Sequence, residues 1–363
     1  MSERVFNFSA GPATLPLPAL QEAQRDLISL PGVGSSILEI SHRSKYFDEV
    51  LARAEENLKV LLGLGDDYKV LFVHGGATMQ FSMIAMNFLR ESGKPANYIV
   101  TGSWGEKAIA EAQREGEAKM IWSGKADNYV RTPKAGEYTI DSNAAYLHIT
   151  SNETIQGVEY PEEPQANGVP LICDASSDFL SHPIDASKYA MIYAGAQKNV
   201  GPSGVAVVIL RDDMLERIPK NLHTLLDYGV YAKNNSVYNT PNVFGIYMIQ
   251  LSTNWLRNEI GGLEKMAEIN RRKAQMLYDA IDQSNGFYQG HAVKECRSIM
   301  NVTWRMPEGL DKEFNAGAEK IGLVELKGHR SVGGMRASIY NAMPEEGVKK
   351  LRDYMIEFQK SKG

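Results

Sequence analysis

The chain has 363 residues, 43% of them hydrophobic, enough to bury the core of one large domain with a smaller one beside it. A formal net charge of −5 gives no reason to expect nucleic acid or an anionic membrane as partner, and no apolar run approaches the ~18 residues of a membrane span. Cys173 and Cys296 are too few for a disulfide framework or a thiolate metal cluster, and no metal site is expected.

The start "MSERVFNFSAGP" has no basic opening, apolar middle or small-residue cleavage site, so a secretory leader is not expected and a cytoplasmic protein is. Along the chain, "YKVLFVHGG" reads as a strand ending in a glycine turn, and "ATMQFSMIAMNFLRES" as the helix after it. "ANYIVTGSW", "AKMIWSG", "AAYLHITSNE", "VPLICDASS", "YAMIYAGAQ" and "VAVVILR" read as further strands. Helix-length segments between most of them predict crossover units and a mainly parallel sheet, with ligands beyond its carboxyl edge. From Asn242 the texture turns helical, with Leu263, Met266, Ile269, Met276, Leu277, Ala280 and Ile281 forming a broken apolar stripe. "SIMNVTWRM" and "MRASIYN" are later strands, and "PEEGVKKLRDYMIEFQK" is an amphipathic last helix. The expected α/β architecture is an N-terminal segment over 1–15, packed near the active site and the small domain. A large domain over 16–260 and a small α+β domain over 261–363 complete it.

Chemistry concentrates where strands end. In "YAMIYAGAQKNVGPSGVAVVIL", Lys198 stands between two apolar runs. It is either a turn lysine with its ammonium in water or a desolvated amine with a lowered pKa, fit to form a Schiff base. Asp174 ends "VPLICD", 24 positions earlier (198 − 174 = 24). There it is either a turn aspartate or a carboxylate holding a pyridinium nitrogen. "VLFVHGGATMQF" offers a strand, a Gly75-Gly76-Ala77-Thr78 turn and a helix start, which suits a phosphate or serves as a plain turn. Trp104 in "TGSWGEKA" could pack or stack on a flat ring, and Thr154 in "SNETIQG" could bond that ring's oxygen. Together these features specify pyridoxal phosphate.

The sequence resembles the phosphoserine aminotransferases, class V, fold-type I pyridoxal phosphate enzymes, over essentially its whole length. "FNFSAGPATLP", "SHRS", "VLFVHGGATMQF", "SNETIQG", "DASSDFLSHPID", "YAGAQKNVGPSG", "YNTPNVF" and "LKGHRSVGGMRASIYNAMPEEGV" carry the likeness. The resemblance implies Lys198 as the cofactor-linked lysine, Asp174 at the pyridine nitrogen and Trp104 as the stacking ring. It implies Gly76, Ala77 and Gln197 around the cofactor phosphate and Thr154 on the ring oxygen. Asn239 and Thr240 match a pair that reaches that phosphate from the neighbouring subunit of a homodimer. Arg336 is implied for the substrate α-carboxylate, the pairs His42-Arg43 and His329-Arg330 for a distal anion, and Ser9 for the substrate side.

The implied reaction is a reversible ping-pong transfer of an amino group from L-glutamate to 3-phosphohydroxypyruvate. Its products are O-phospho-L-serine and 2-oxoglutarate, placing the chain in serine biosynthesis. A pyridoxine-pathway analogue leading to 4-phosphohydroxy-L-threonine is a further expected substrate. A cysteine desulfurase would need a mobile, exposed thiol, yet Cys173 sits inside a strand and Cys296 in the small domain. A nicotinamide dehydrogenase lacks its glycine fingerprint here. An aminotransferase for alanine, serine or glyoxylate would not need the second His-Arg pair.

Overall fold

The computed structural model describes residues 4–362, so the first three residues of the expected N-terminal segment and the last of the C-terminal domain lie outside the description. After β1 (Phe6–Asn7) and α1 (Leu17–Asp26) comes the long helix α2 (Lys45–Leu62). It begins where the Ser44 hydroxyl accepts from the Phe47 N–H, and it ends at Gly63, whose left-handed φ of 61° favours glycine. Phe47, Leu51, Ala54, Leu58 and Leu62 recur at three- and four-residue steps and bury one stripe against the core.

Next, β2 (Tyr68–His74) turns through Gly75 into α3 (Gly76–Phe88), and β3 (Ala96–Val100) leads into α4 (Ser103–Ala112) and then β4 (Ala118–Ser123). β5 (Leu147–Thr150) is followed by the hairpin of β6 (Asn152–Glu153) and β7 (Val158–Glu159). β8 (Leu171–Asp174), β9 (Met191–Gly195) and β10 (Val205–Arg211) come after it. Seven of these form one sheet in the order β2-β10-β9-β8-β5-β3-β4. β3 and β9 are buried along their whole length, as strands covered on both faces must be.

The sheet is parallel except at β10, which pairs antiparallel with both β2 and β9. The reason is local. Loop 196–204 turns the chain straight back without a crossover helix, and a strand that returns at once pairs antiparallel with the one it left. Lys198 lies in that loop.

α5 (Tyr228–Lys233) and α6 (Val243–Asn254) come next, and α6 runs on through a π-helical turn, Trp255–Ile260. Gly261 and Gly262, at φ of 91° and 98°, stop it. The mostly helical texture expected from Asn242 is therefore two helices, because left-handed backbone ends a right-handed helix. Beyond the pair lie α7 (Leu263–Asp282), β11 (Gln289–Gly290), β12 (Asn301–Arg305), α8 (Asp311–Lys320), β13 (Leu323–Val324), β14 (Met335–Ser338) and α9 (Glu345–Lys362). β11, β12 and β14 make an antiparallel sheet whose core holds Leu277, Trp304, Phe314 and Met355. Phe8 joins that core, and β1 pairs in parallel with β13. A few residues on, the Ala13 N–H donates to the Gln197 carbonyl at 2.9 Å, so the N-terminal segment touches both sheets' surroundings.

Lys273 of α7 is 0% exposed, and its ammonium donates to the carbonyls of Ile339 and Tyr340 at 2.8 Å and of Met343 at 3.1 Å. These acceptors form the turn that carries β14 into α9. Lys273→Met removes the ammonium that these buried carbonyls share, so it should destabilise the protein by about 3 kcal/mol. An unchanged urea midpoint would show that the ammonium does not hold this turn.

Candidate active site

The carboxyl ends of the parallel strands converge on one cavity. β2 contributes Gly75, Gly76, Ala77 and Thr78, β3 contributes Trp104, β8 contributes Asp174 and Ser176, and β9 contributes Gln197 and Lys198. Lys198 is half-buried, and its Nζ donates to Thr154 Oγ1 at 2.6 Å. The same Nζ lies 5.2 Å from the centroid of the Trp104 ring. Burial lowers the amine's pKa, the carboxylates of Asp174 and Glu153 oppose that, and the Arg336 cation adds to it.

Asp174 is 4% exposed. Its Oδ1 accepts from the Ser176 N–H at 3.0 Å and the Ser176 hydroxyl at 2.6 Å, and Ser176 Oγ in turn accepts from the Gly195 N–H at 3.0 Å. Among the described residues both protein hydrogen bonds go to Oδ1, which leaves Oδ2 for another donor. Burial raises this carboxyl's pKa while the Lys198 cation opposes the rise.

At the start of α3 the backbone is left-handed at Gly75 and Gly76, with φ of 91° and 70°, and no side chain caps the helix. Its first N–H groups and the positive end of its dipole are therefore free for an anion. Trp104 sits in the first turn of α4, half-buried, and its Nε1 has no partner among the described residues. Lys107, one turn along, holds its ammonium 4.1 Å from the centroid of the same ring.

A second group of charges comes from β14 and the loop before it. Arg336 is half-buried, with no side-chain partner among the described residues, and burial lowers its pKa. His329 bonds Ser331 Oγ through Nδ1 at 2.7 Å. Burial lowers its pKa first, followed by the positive fields of Arg336, Arg330 and Lys107, so these four groups share one region. Arg330 itself is exposed. Ser9 is half-buried on the N-terminal segment, which the Tyr340 hydroxyl fastens through the Ala10 carbonyl at 2.8 Å.

Two predicted pairs are not brought to the cavity within one chain. His42 and Arg43 lie on the loop before α2, and Asn239 and Thr240 on the loop before α6. His42 Nε2 and Asn239 Oδ1 are buried without a hydrogen-bond partner among the described residues. Sequence reasoning passed over Ser176, though an aspartate followed two residues later by serine is a local side-chain–backbone pattern that could have pointed to it. It also passed over Glu153 and Lys107, for which no local signal exists.

An amine beside a hydroxyl, a buried carboxylate, an uncapped helix start and an indole face make a donor set that fits a flat, phosphorylated, aldehyde-bearing pyridine. Comparisons with known proteins agree. The family described as aminotransferase class-V matches residues 5–351. A relative from Desulfatibacillum aliphaticivorans, named phosphoserine aminotransferase, is 53% identical and covers 100% of both chains. The solved structure of phosphoserine aminotransferase from Bacillus circulans subsp. alkalophilus is similar at a TM-score of 0.97 and 51% identity, covering 100% of both. That of PLP-bound phosphoserine aminotransferase from Trichomonas vaginalis is similar at 0.91 and 40% identity, covering 97% of this chain and 100% of that one.

Proposed function

The chain belongs to the class-V aminotransferases, and on that premise we propose that it moves the amino group of L-glutamate to 3-phosphohydroxypyruvate, giving O-phospho-L-serine and 2-oxoglutarate. It has the fold-type I architecture of pyridoxal phosphate enzymes, and pyridoxal 5′-phosphate is its cofactor. The observation that carries the reading is the half-buried Lys198 amine, bonded to Thr154 and facing the buried Asp174 at the strand ends. When bound, pyridoxal phosphate supplies an aldehyde that takes up an amino group and a ring that draws off electron density.

The chain's own residues do the rest. Asp174, fixed through Oδ1 by Ser176, offers its other oxygen to the ring nitrogen. The start of α3 at Gly76 and Ala77 holds the phosphate together with Gln197, and the Trp104 ring stacks. Thr154 bonds the ring oxygen. Lys198, its pKa lowered by burial, is the base that takes the substrate's α-proton. Arg336, whose guanidinium has no side-chain partner among the described residues, forks onto the α-carboxylate, with Ser9 on the substrate side. His329 and Arg330 take the distal anion with His42 and Arg43, and a cluster of cations accepts either a γ-carboxylate or a phosphate.

A homodimer with shared sites supplies what one chain lacks, Asn239 and Thr240 reaching the cofactor phosphate of the neighbouring subunit. Residues 16–260 act as the cofactor-holding domain and 261–363 as the small domain that carries Arg336. Among the described residues no helix is long and apolar enough to cross a membrane, and we place the enzyme in the cytoplasm. The pyridoxine-pathway analogue is a second substrate of the same site. Cys173 and Cys296 are both buried, which leaves a desulfurase without its exposed thiol.

The test is turnover of glutamate with 3-phosphohydroxypyruvate against alanine with glyoxylate. Turnover of the second pair alone would end the reading. In the same assay Arg330→Ala should lose about ten- to a hundredfold in kcat/KM on phosphohydroxypyruvate and far less on hydroxypyruvate. Equal losses would assign Arg330 to the fold or the cofactor instead.

A further inference from the structure

Glu153 is a carboxylate with no solvent at all, 0% exposed, immediately before Thr154. Its Oε2 accepts from the Trp104 N–H at 3.0 Å and its Oε1 from the Gly105 N–H at 2.9 Å. Those are N–H groups of the first turn of α4, which have no carbonyl partner within the helix. Gly102, at the N-cap position, offers no side-chain cap, and the cap comes instead from β6.

The space for the carboxylate is cut into the sequence of the helix start. A Cβ at Gly102 would lie 2.5 Å from the Glu153 carboxyl carbon, and one at Gly105 would lie 3.4 Å from Oε1 and 3.3 Å from Val100 Cα. Gly102 has extended backbone open to any residue, so its need for glycine is the carboxylate itself. The glycines of "TGSWGEKA" had no role in the sequence reading, and this contact supplies one. Burial raises the Glu153 pKa to about 7, with the Gly105 and Trp104 N–H groups opposing that rise. Gln156, on the same hairpin, adds a bond from Nε2 to Ser103 Oγ at 2.8 Å.

We infer that Glu153 is a positioning residue for the cofactor, fixing the Trp104 ring by capping the helix that carries it. The inference rests on the reading of Trp104 as the stacking ring. One dipeptide then serves two sides of the site, Glu153 setting the indole and Thr154 holding Lys198. Conservative replacement by glutamine keeps the shape and one acceptor but turns an amide N–H against the other backbone N–H. The first turn of α4 must shift to relieve that, and the indole moves with it.

The experiment is a double-mutant cycle on the pyridoxal phosphate dissociation constant, read by cofactor absorbance and by its visible circular dichroism. Glu153→Gln should weaken the cofactor about threefold to tenfold and change the dichroism, as a displaced stacking ring does. In a Trp104→Ala background the same substitution should change the constant by less than about twofold, because the two act through one ring. Full additivity would overturn the inference while leaving Trp104 as the stacking ring. A Trp104→Ala enzyme with unchanged affinity would overturn the reading of Trp104 and this inference with it. Should Glu153→Gln fail to fold, Gly102→Ala, which presses a methyl on the intact carboxylate, replaces it in the same cycle with the same criteria.

Discussion

Lys198→Ala is expected to lose about 10²–10⁴-fold in turnover from the missing proton transfer alone, while still taking up pyridoxal phosphate. The other parts of the cradle do not lean on the amine. Asp174 is held by Ser176, the start of α3 by its own turn, and Trp104 by α4. Borohydride reduction of the wild-type holoenzyme should fix the cofactor to the peptide containing Lys198, read by mass. In Lys198→Ala the same treatment should label nothing. The competing site is defined, because Lys107 also holds an ammonium over the Trp104 ring, at 4.1 Å against 5.2 Å for Lys198. Lys107 is exposed, however, whereas Lys198 is pushed toward the neutral amine by burial. Cofactor found on Lys107, or wild-type turnover in Lys198→Ala, would remove Lys198 from this role.

The second large effect concerns the residues that one chain leaves outside its cavity. Asn239→Asp with Thr240→Asp should inactivate the enzyme by setting carboxylates against the cofactor phosphate, and Lys198→Ala inactivates it separately. If the loop before α6 serves the neighbouring subunit, a hybrid of these two dead chains has one site with both lesions and one with neither. Random re-association makes about half of all dimers hybrids, so mixing should restore roughly a quarter of wild-type activity. Asn239 Oδ1, buried with no hydrogen-bond partner among the described residues, fits a side chain whose partner is not in its own chain. A mixture that stays dead although hybrids are shown to form would mean that each site is built from one chain, with the loop acting in its own subunit.

What was legible in the sequence was whatever a few neighbouring residues decide. Apolar runs placed β2, β3, β8, β9 and β10, because a strand buried on both faces needs an uninterrupted apolar stretch. Glycine pairs marked where α3 begins, since only left-handed backbone turns a strand so sharply into a helix. Residues placed just after such strands were bound to meet at one edge of a parallel sheet, which is why Lys198, Asp174, Trp104 and Gly76 could be named together.

The tertiary structure decided everything that depends on two distant segments touching. The order in which the strands meet in the sheet and the grouping of Arg336 with His329 and Lys107 follow from how loops close and sheets stack. Glu153 shows the limit most clearly. Nothing within "SNETIQG" says that its carboxylate will cap a helix some fifty positions earlier, at hydrogen-bond separations of 48 and 49 residues. A strand's period reports which face is buried, but a buried charge's partner is set only when another element folds over it, because desolvation makes that partner obligatory without saying where in the chain it comes from.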